Sequence, residues 1–186
     1  MRKIEKLIAE YGESHKNKTN KLIHWLCVPS IFFSIVALVW CIPLGPLENL
    51  TINGYNYINW ATISIVFVFI YYLILSPKLT VGMALFSIFC LFLTNWIENQ
   101  ILVDNLNVSL WMISVSIFVV SWIIQFIGHE IEGKKPSFLK DVQFLLIGPA
   151  WLMHFIYQKL NKKFKNKNLI KKNKNKINLI NIYINK

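Results

Sequence analysis

Four histidines are the residues of this 186-residue chain with the clearest capacity for chemistry: His15, His24, His129 and His154. Neutral imidazole is the commonest metal ligand in proteins, and an all-histidine set suits Fe(II), Zn or Mn. The three cysteines form no CxxC pair, so neither a thiolate metal site nor a disulfide framework is expected. Two interpretations stay open: one shared mononuclear site, or four separate hydrogen-bonded histidines.

The first two histidines must be brought together by a break in the helix. His15 and His24 are nine residues apart, which on one unbroken helix would place them on opposite sides of the axis. Thr19 and Asn20 lie between them, and Asn20 has the side chain of a helix N-cap. We therefore predict that Asn20 caps a new helix beginning at Lys21 and that the chain folds back there.

The other two histidines lie in the second half of the chain. His129 follows Gly128, where the chain can turn, and Glu130 and Glu132 come just after it. His154 has only apolar neighbours, so its ring needs a polar partner or a metal to offset its burial.

Several enzyme classes are excluded by missing motifs. The membrane di-iron hydroxylases and desaturases use about eight histidines in HxxxH and HxxHH boxes, which four dispersed residues cannot supply. The sequence also has no HExxH, GxSxG, Walker or GxGxxG motif. One mononuclear metal site is the most that this histidine content permits.

The elements that position these residues are membrane helices. Hydrophobic residues make up 55% of the chain and charged residues 16%, unlike a soluble domain. Apart from four longer apolar stretches, a fifth, 142–157, is short and contains Gly148-Pro149, which predicts a re-entrant or interfacial pair of half-helices. The fold class is thus an all-α multi-pass membrane bundle with four spanning helices and a re-entrant or interfacial helical segment. The predicted spans are 25–44, 58–75, 79–95 and 109–128. The sequence Ser-Pro-Lys at 76–78 predicts a tight turn that pairs the second and third spans as a hairpin.

Basic residues predict the orientation of the bundle. Lysine and arginine number six in 1–24, one in 76–78, three in 129–140 and ten in 159–186. None occur in the loop between the first and second spans or in the loop between the third and fourth spans. By the positive-inside rule both termini and all four histidines lie on the cytoplasmic side. The net charge of +11 therefore marks sidedness, and no nucleic-acid partner is expected. The membrane would be the cytoplasmic membrane of a bacterium or the endoplasmic reticulum of a eukaryote.

The composition changes near residue 160. Residues 1–160 form a single integral-membrane domain in this interpretation, and residues 161–186 are a Lys/Asn-rich cytoplasmic tail. The tail is predicted to be flexible. Binding of its lysines to anionic lipid headgroups is the alternative.

Two blocks of sequence resemble a known family. The first is Y-x3-H-x4-N-x3-H-W-x2-VP, and the second is QFIGHEIEGKKPSFLKDVQFLLIGPAWLMHF at 125–155. Both are similar to signatures of the membrane-bound 2-hydroxy fatty acid dioxygenase family of fatty-acid α-oxidation. In this chain the first block consists of Tyr11, His15, Asn20, His24, Trp25, Val28 and Pro29.

The resemblance implies an Fe(II)-dependent oxygenase that shortens a long-chain 2-hydroxy fatty acid by one carbon and needs no 2-oxoglutarate. Its partners would be that fatty acid, O2 and membrane lipids, while the oligomeric state stays open. Zinc is the alternative occupant of the metal site. The family's metal ligands carry over onto His15, His24, His129 and His154.

Five further residues are candidates for supporting roles. Glu132 is the candidate catalytic base for the 2-hydroxyl, or an acceptor that orients a histidine ring, or a surface carboxylate. Asn20 and Tyr11 are candidate neighbours of the metal ligands, although Asn20 also fits a simple helix cap. Lys134 and Lys135 could attract the substrate carboxylate, or could belong to a solvated loop.

Two other functions remain open. A membrane metal-dependent lipid hydrolase would use the same histidines to activate water. A small non-catalytic transporter or scaffold would carry them only as interfacial residues.

The predicted topology can be tested with a reporter fused after residue 160. Because export of the ten-lysine tail would violate the positive-inside rule, we expect the reporter to read as cytoplasmic. A reporter that reads as external would contradict the re-entrant path of 142–157.

Overall fold

The computed structural model describes residues 3–50, 58–105, 107–133, 145–166 and 168, and the regular structure in these ranges is helical throughout. This confirms the predicted all-helical class. A short 3-10 turn, Gly45–Leu47, follows the second helix. The helices are α1 (Lys3–Glu13), α2 (Lys18–Trp40), α3 (Trp60–Leu75), α4 (Pro77–Val103), α5 (Leu110–Glu132) and α6 (145–166).

The predicted break between α1 and α2 is present, but it lies one turn earlier than predicted. Asn17 has extended backbone angles, and its side chain accepts hydrogen bonds from the amides of Thr19 and Asn20, as an N-cap does. Asn20 therefore lies inside α2 and is fully buried. The prediction that Asn20 caps the helix is wrong, because another Asn stands three residues before it.

The tight turn predicted at 76–78 is confirmed. Helix α3 ends at Leu75, Ser76 is extended, and Pro77 is the first residue of α4. Proline suits that position because its missing amide would have no partner in the first helical turn. At its other end α3 begins with a capping box in which Asn59 and Thr62 satisfy each other's backbone amides.

In the part of the chain that the structure describes, three helices are long and apolar enough to cross a membrane: α2, α4 and α5. Helix α3 has 16 residues and so extends about 24 Å, somewhat short of the roughly 30 Å hydrocarbon core. Large apolar side chains stand exposed on the outside of the helices, among them Phe67 and Ile74 of α3 and Val103 of α4. These features indicate a membrane protein, and the four crossings stay a prediction.

The helical path through Gly148-Pro149 differs from the prediction. Residues 142–144 lie outside the described residues, and 145–157 are helical without a break. The prediction of two half-helices is therefore wrong. A proline inside a helix removes the hydrogen bond that its own amide would donate, and the helix nevertheless continues through Pro149. The re-entrant path itself stays a prediction.

The chain divides into two compact units, Met1–Trp151 and Leu152–Lys186. In the second unit the described residues are helical through 166, so the first six residues of the predicted tail continue α6. The predicted flexibility of the rest of the tail falls outside the described residues, apart from residue 168. The predicted domain boundary at residue 160 stays a prediction.

Helices α2 and α5 form the most extensive packed pair of the first unit. Their buried residues include small ones, among them Ser34 and Ala37 of α2 and Ser114 and Ser121 of α5. Small residues let helix backbones approach closely in a membrane. The hydroxyls of Ser34 and Ser114 donate to carbonyls of their own helices, so burial leaves them satisfied. The three cysteines of the chain are free thiols.

Candidate metal centre

Three of the four histidines meet inside the first unit. The candidate ligand atoms of His15, His24 and His129 all lie within 4.8 Å of one another. The ring centroid of His15 is 4.1 Å from that of His24 and 5.4 Å from that of His129. The rings of His24 and His129 are 5.0 Å apart. All three are buried, with 2%, 1% and 8% of their surface exposed.

Local hydrogen bonds orient two of these rings. His15 Nδ1 lies 2.6 Å from the carbonyl oxygen of Tyr11, and His24 Nδ1 lies 3.0 Å from the carbonyl oxygen of Asn20. Because a carbonyl only accepts, each Nδ1 carries the proton and donates it. The lone pair of each ring is then on Nε2, the arrangement that metal-binding histidines adopt.

The buried Nε2 of His15 provides a test of whether a metal fits. This atom has no hydrogen-bond partner among the described residues, although a buried polar atom without a partner is costly. Two nitrogens that bind one metal at about 2.1 Å are at most about 4.2 Å apart. The observed limit of 4.8 Å is close to that value. The three nitrogens therefore fit a transition metal after a small inward shift of the rings.

Burial keeps the imidazole of His15 in the neutral form, which is the form that can bind a metal. Burial lowers its pKa to about 4, and the hydrogen bond to the Tyr11 carbonyl offsets only part of that effect. The ring is therefore neutral at physiological pH, and no proton has to be displaced from Nε2 when a metal binds.

Aromatic side chains form one wall of the cluster. Tyr11 stacks on His15 with ring centroids 4.3 Å apart, and Trp151 lies 5.4 Å from His15 and 5.3 Å from Tyr11. Glycines allow this packing, because a Cβ at Gly148 would lie 3.1 Å from the Tyr11 hydroxyl and one at Gly12 would lie 3.4 Å from Trp151 Nε1. Trp151 is not among the candidate residues predicted from the sequence, although it lies in the second signature block.

Glu132 joins the end of α5 to the turn that carries His15. Its Oε1 accepts a hydrogen bond of 2.8 Å from the backbone amide of Lys16, and its Oε2 accepts one of 2.8 Å from that of Asn17. Oε2 also accepts from Asn20 Nδ2 at 3.1 Å. Asn20 Nδ2 in turn lies 3.2 Å from the carbonyl oxygen of Ser14. The three histidine-bearing segments are thus connected through Asn20 and Glu132.

Gly128 permits the close approach of α5 to Asn20. A Cβ at this position would lie 2.5 Å from Asn20 Oδ1 and 3.3 Å from the side chain of Ile23. The sequence allowed a turn at Gly128, but α5 runs on to Glu132 and ends at Gly133, whose φ of 71° is left-handed. Glycine at this position lets α2 and α5 pack closely together.

Comparison with known proteins supports the resemblance. Residues 1–160 match the model of a family described as "2-hydroxy-palmitic acid dioxygenase Mpo1-like". The chain belongs to the Mpo1-like family. It is also 28% identical, over 146 residues, to 2-hydroxy-palmitic acid dioxygenase MPO1 of Saccharomyces cerevisiae, a match that covers 77% of this chain and 73% of the yeast protein. No solved structure matches.

Four further candidate residues were predicted in this Mpo1-like chain: His154, Lys134, Lys135 and Glu132. His154 belongs to the second unit, where Gln158, one helical turn further on, places its Nε2 2.8 Å from His154 Nε2. Its role as a fourth metal ligand stays a prediction. Lys134 and Lys135 lie outside the described residues. The observed contacts of Glu132 are with the α1–α2 turn and Asn20, and its role as a base stays a prediction.

Replacing Asn20 by Ala tests whether its hydrogen bonds to Ser14 and Glu132 position the three clustered histidines. The variant loses the hydrogen bonds to Ser14 and Glu132, so we expect metal affinity to fall roughly 10- to 100-fold, as for other residues that orient ligands. The control is Ser34→Ala on the same helix, which removes an equally buried polar group whose hydrogen bond stays within α2. Equal metal content in the two purified variants would show that Asn20 has no positioning role.

A second test uses the contact between Gly128 and Asn20. Gly128→Ala should lower the free energy of unfolding by about 1–3 kcal/mol, because the added methyl group overlaps Asn20 Oδ1. In the double variant Gly128→Ala, Asn20→Ala the overlap is removed. We therefore expect the two destabilisations to be less than additive in a thermal-unfolding cycle. Strict additivity would contradict the contact.

Proposed function

We propose that this chain is an Fe(II)-dependent dioxygenase that shortens long-chain 2-hydroxy fatty acids by one carbon. The observation that carries the proposal is the buried cluster of His15, His24 and His129 at the ends of apolar helices. Membership of the Mpo1-like family and the name of the yeast relative support the substrate class. We extend that substrate class to this chain as part of the proposal.

The metal would be held by the three clustered histidines, with His154 as the proposed fourth ligand. Three or four neutral nitrogens suit Fe(II) and leave coordination positions open. A bound Fe(II) would supply activation of O2 and an anchor for the substrate's carboxylate and 2-hydroxyl. Zinc fits the same donors, and with zinc a lipid hydrolase would be the alternative function.

The chain's own residues account for the orientation and shielding of the centre. The carbonyls of Tyr11 and Asn20 hold the rings of His15 and His24 with Nε2 available. Stacked Tyr11 and neighbouring Trp151 cover His15 and leave it 2% exposed. Exclusion of water strengthens electrostatic interactions at the site and limits side reactions.

Of the roles open to Glu132, we propose the positioning one. Its two oxygens accept three hydrogen bonds from the start of α2 and the turn before it. A carboxylate engaged in this way stabilises the backbone on which His15 and His24 lie. Lys134 and Lys135 remain our proposed contacts for the substrate carboxylate, since they follow closely on Glu132 in the sequence.

The location of the site suits an amphiphilic substrate. The histidines lie in or next to α2 and α5, two of the helices that are able to cross a membrane. With both termini cytoplasmic, as we propose, the cluster would lie at the level of the lipid headgroups. A fatty acid could then present its polar end to the histidines while its acyl chain stays in apolar surroundings.

Oxygen uptake by purified, iron-loaded protein tests the function. We expect O2 consumption with 2-hydroxyhexadecanoic acid together with release of one carbon. Hexadecanoic acid and the 3-hydroxy isomer should react poorly, because the first lacks one donor group and the second forms a larger chelate ring. Equal turnover of the 2-hydroxy and unsubstituted acids would show that the proposed mechanism is wrong.

The same preparation separates the alternatives. Turnover of a lipid under strict anaerobiosis would favour a hydrolase. Stoichiometric metal that is lost in His24→Ala would exclude a non-catalytic scaffold, whereas protein without bound transition metal would support it. His154→Ala reports separately on the proposed fourth ligand.

A further inference from the structure

Two adjoining apolar cavities flank α3. One, of about 80 Å³, lies between α2, α3 and the start of α6, and the other, of about 230 Å³, lies between α3 and α4. Ile65 and Val68 line both of them. We refer to the two together as the α3 cavity. Its α2 side consists of Phe32, Ile35, Val36 and Val39.

Helix α2 leads from the histidine cluster to this cavity. Phe32 is eight residues beyond His24 and Val39 is fifteen residues beyond it, which places them about 12 and 22 Å along the helix axis. Val28 and Phe32 follow His24 at intervals of four residues, so all three share one face of α2. The cavity therefore begins about two helical turns from the cluster, on the face of α2 that carries His24.

The start of α6 completes the connection. Leu146 lines the cavity, and two residues later a Cβ at Gly148 would lie 3.1 Å from both Val28 and the Tyr11 hydroxyl. Leu146 at the cavity and Gly148 next to the histidine cluster are therefore less than one helical turn apart. Because Gly148 has no side chain, it places no side-chain atoms between the cavity and the histidine cluster.

We propose that the α3 cavity receives the distal part of the acyl chain of a long-chain 2-hydroxy acid whose polar end lies at His15, His24 and His129. This inference rests on the proposed function. An acyl chain spans one leaflet, about 15 Å or half of the hydrocarbon core, which reaches from the cluster past Phe32. Side chains on the α2 side are wholly apolar, as burial of methylene groups requires.

Ile65 is the position at which to test this inference. Ile65→Trp fills both parts of the cavity, whereas Ile70→Trp makes the same substitution on the same helix at a residue that lines neither part and is 45% exposed. In full-length, iron-loaded protein we expect the ratio of kcat/KM for 2-hydroxyhexadecanoic acid over 2-hydroxydecanoic acid to fall at least tenfold in Ile65→Trp. The reason is that each methylene kept out of the cavity loses about fourfold in binding.

The control should keep this ratio within twofold of the parent protein. An unchanged ratio in Ile65→Trp, with both acids turned over, would overturn the inference and leave the proposed function intact. If Ile65→Trp does not fold, Val68→Phe tests the same shared wall. Failure of the parent protein to turn over either acid would instead count against the proposed function.

Photolabelling decides the question without turnover. A 2-hydroxy acid with a terminal diazirine should label peptides that contain residues 32–39 and 61–68, and excess unlabelled 2-hydroxyhexadecanoic acid should displace the label. Ile65→Trp should reduce this labelling at least fivefold. Labelling that is not displaced, or that is confined to outward-facing positions such as Ile74, would show that the cavity holds bilayer lipid and would overturn the inference.

Discussion

The carboxylate of Glu132 accepts hydrogen bonds from the backbone at Lys16 and Asn17 and from the Asn20 side chain. These contacts hold the end of α5 against the start of α2. A negative charge is favourable there because the first amides of a helix are unpaired and carry partial positive charge. The position of His15 relative to His129 depends on this junction, since the turn between α1 and α2 is tied to α5 through it.

Burial of three imidazoles side by side is costly unless each polar atom has a partner. His15 and His24 each donate one ring N–H to the carbonyl oxygen four residues earlier, which belongs to Tyr11 and Asn20 respectively. The second nitrogen of His15 has no such partner among the described residues. The local backbone thus satisfies one nitrogen of each of these two rings. A metal shared by the cluster, as we propose, would give the second nitrogen of His15 a partner.

Helices that form the packed bundle also carry the clustered histidines. Helix α2 packs against α5, carries His24 near one end and lines an apolar cavity further along. Glycines let backbones and aromatic rings come close where the site is built, at Gly128 against Asn20 and at Gly148 against Tyr11. These glycines therefore determine how closely the histidine-bearing segments approach one another, which composition alone does not show.

The sequence by itself determined the helical class, the break between His15 and His24, the turn at 76–78 and the histidines that lie in two signature blocks. These features depend on local apolar runs, caps and turn residues. It did not determine that Asn17 caps α2, that α5 continues through Gly128, or that α6 continues through Pro149, since each local pattern allowed either outcome. The tertiary structure decided them: Asn20 is buried and bonded to Glu132 across 112 residues of sequence. Contacts over such a separation arise only from packing, because no local periodicity or capping preference encodes them.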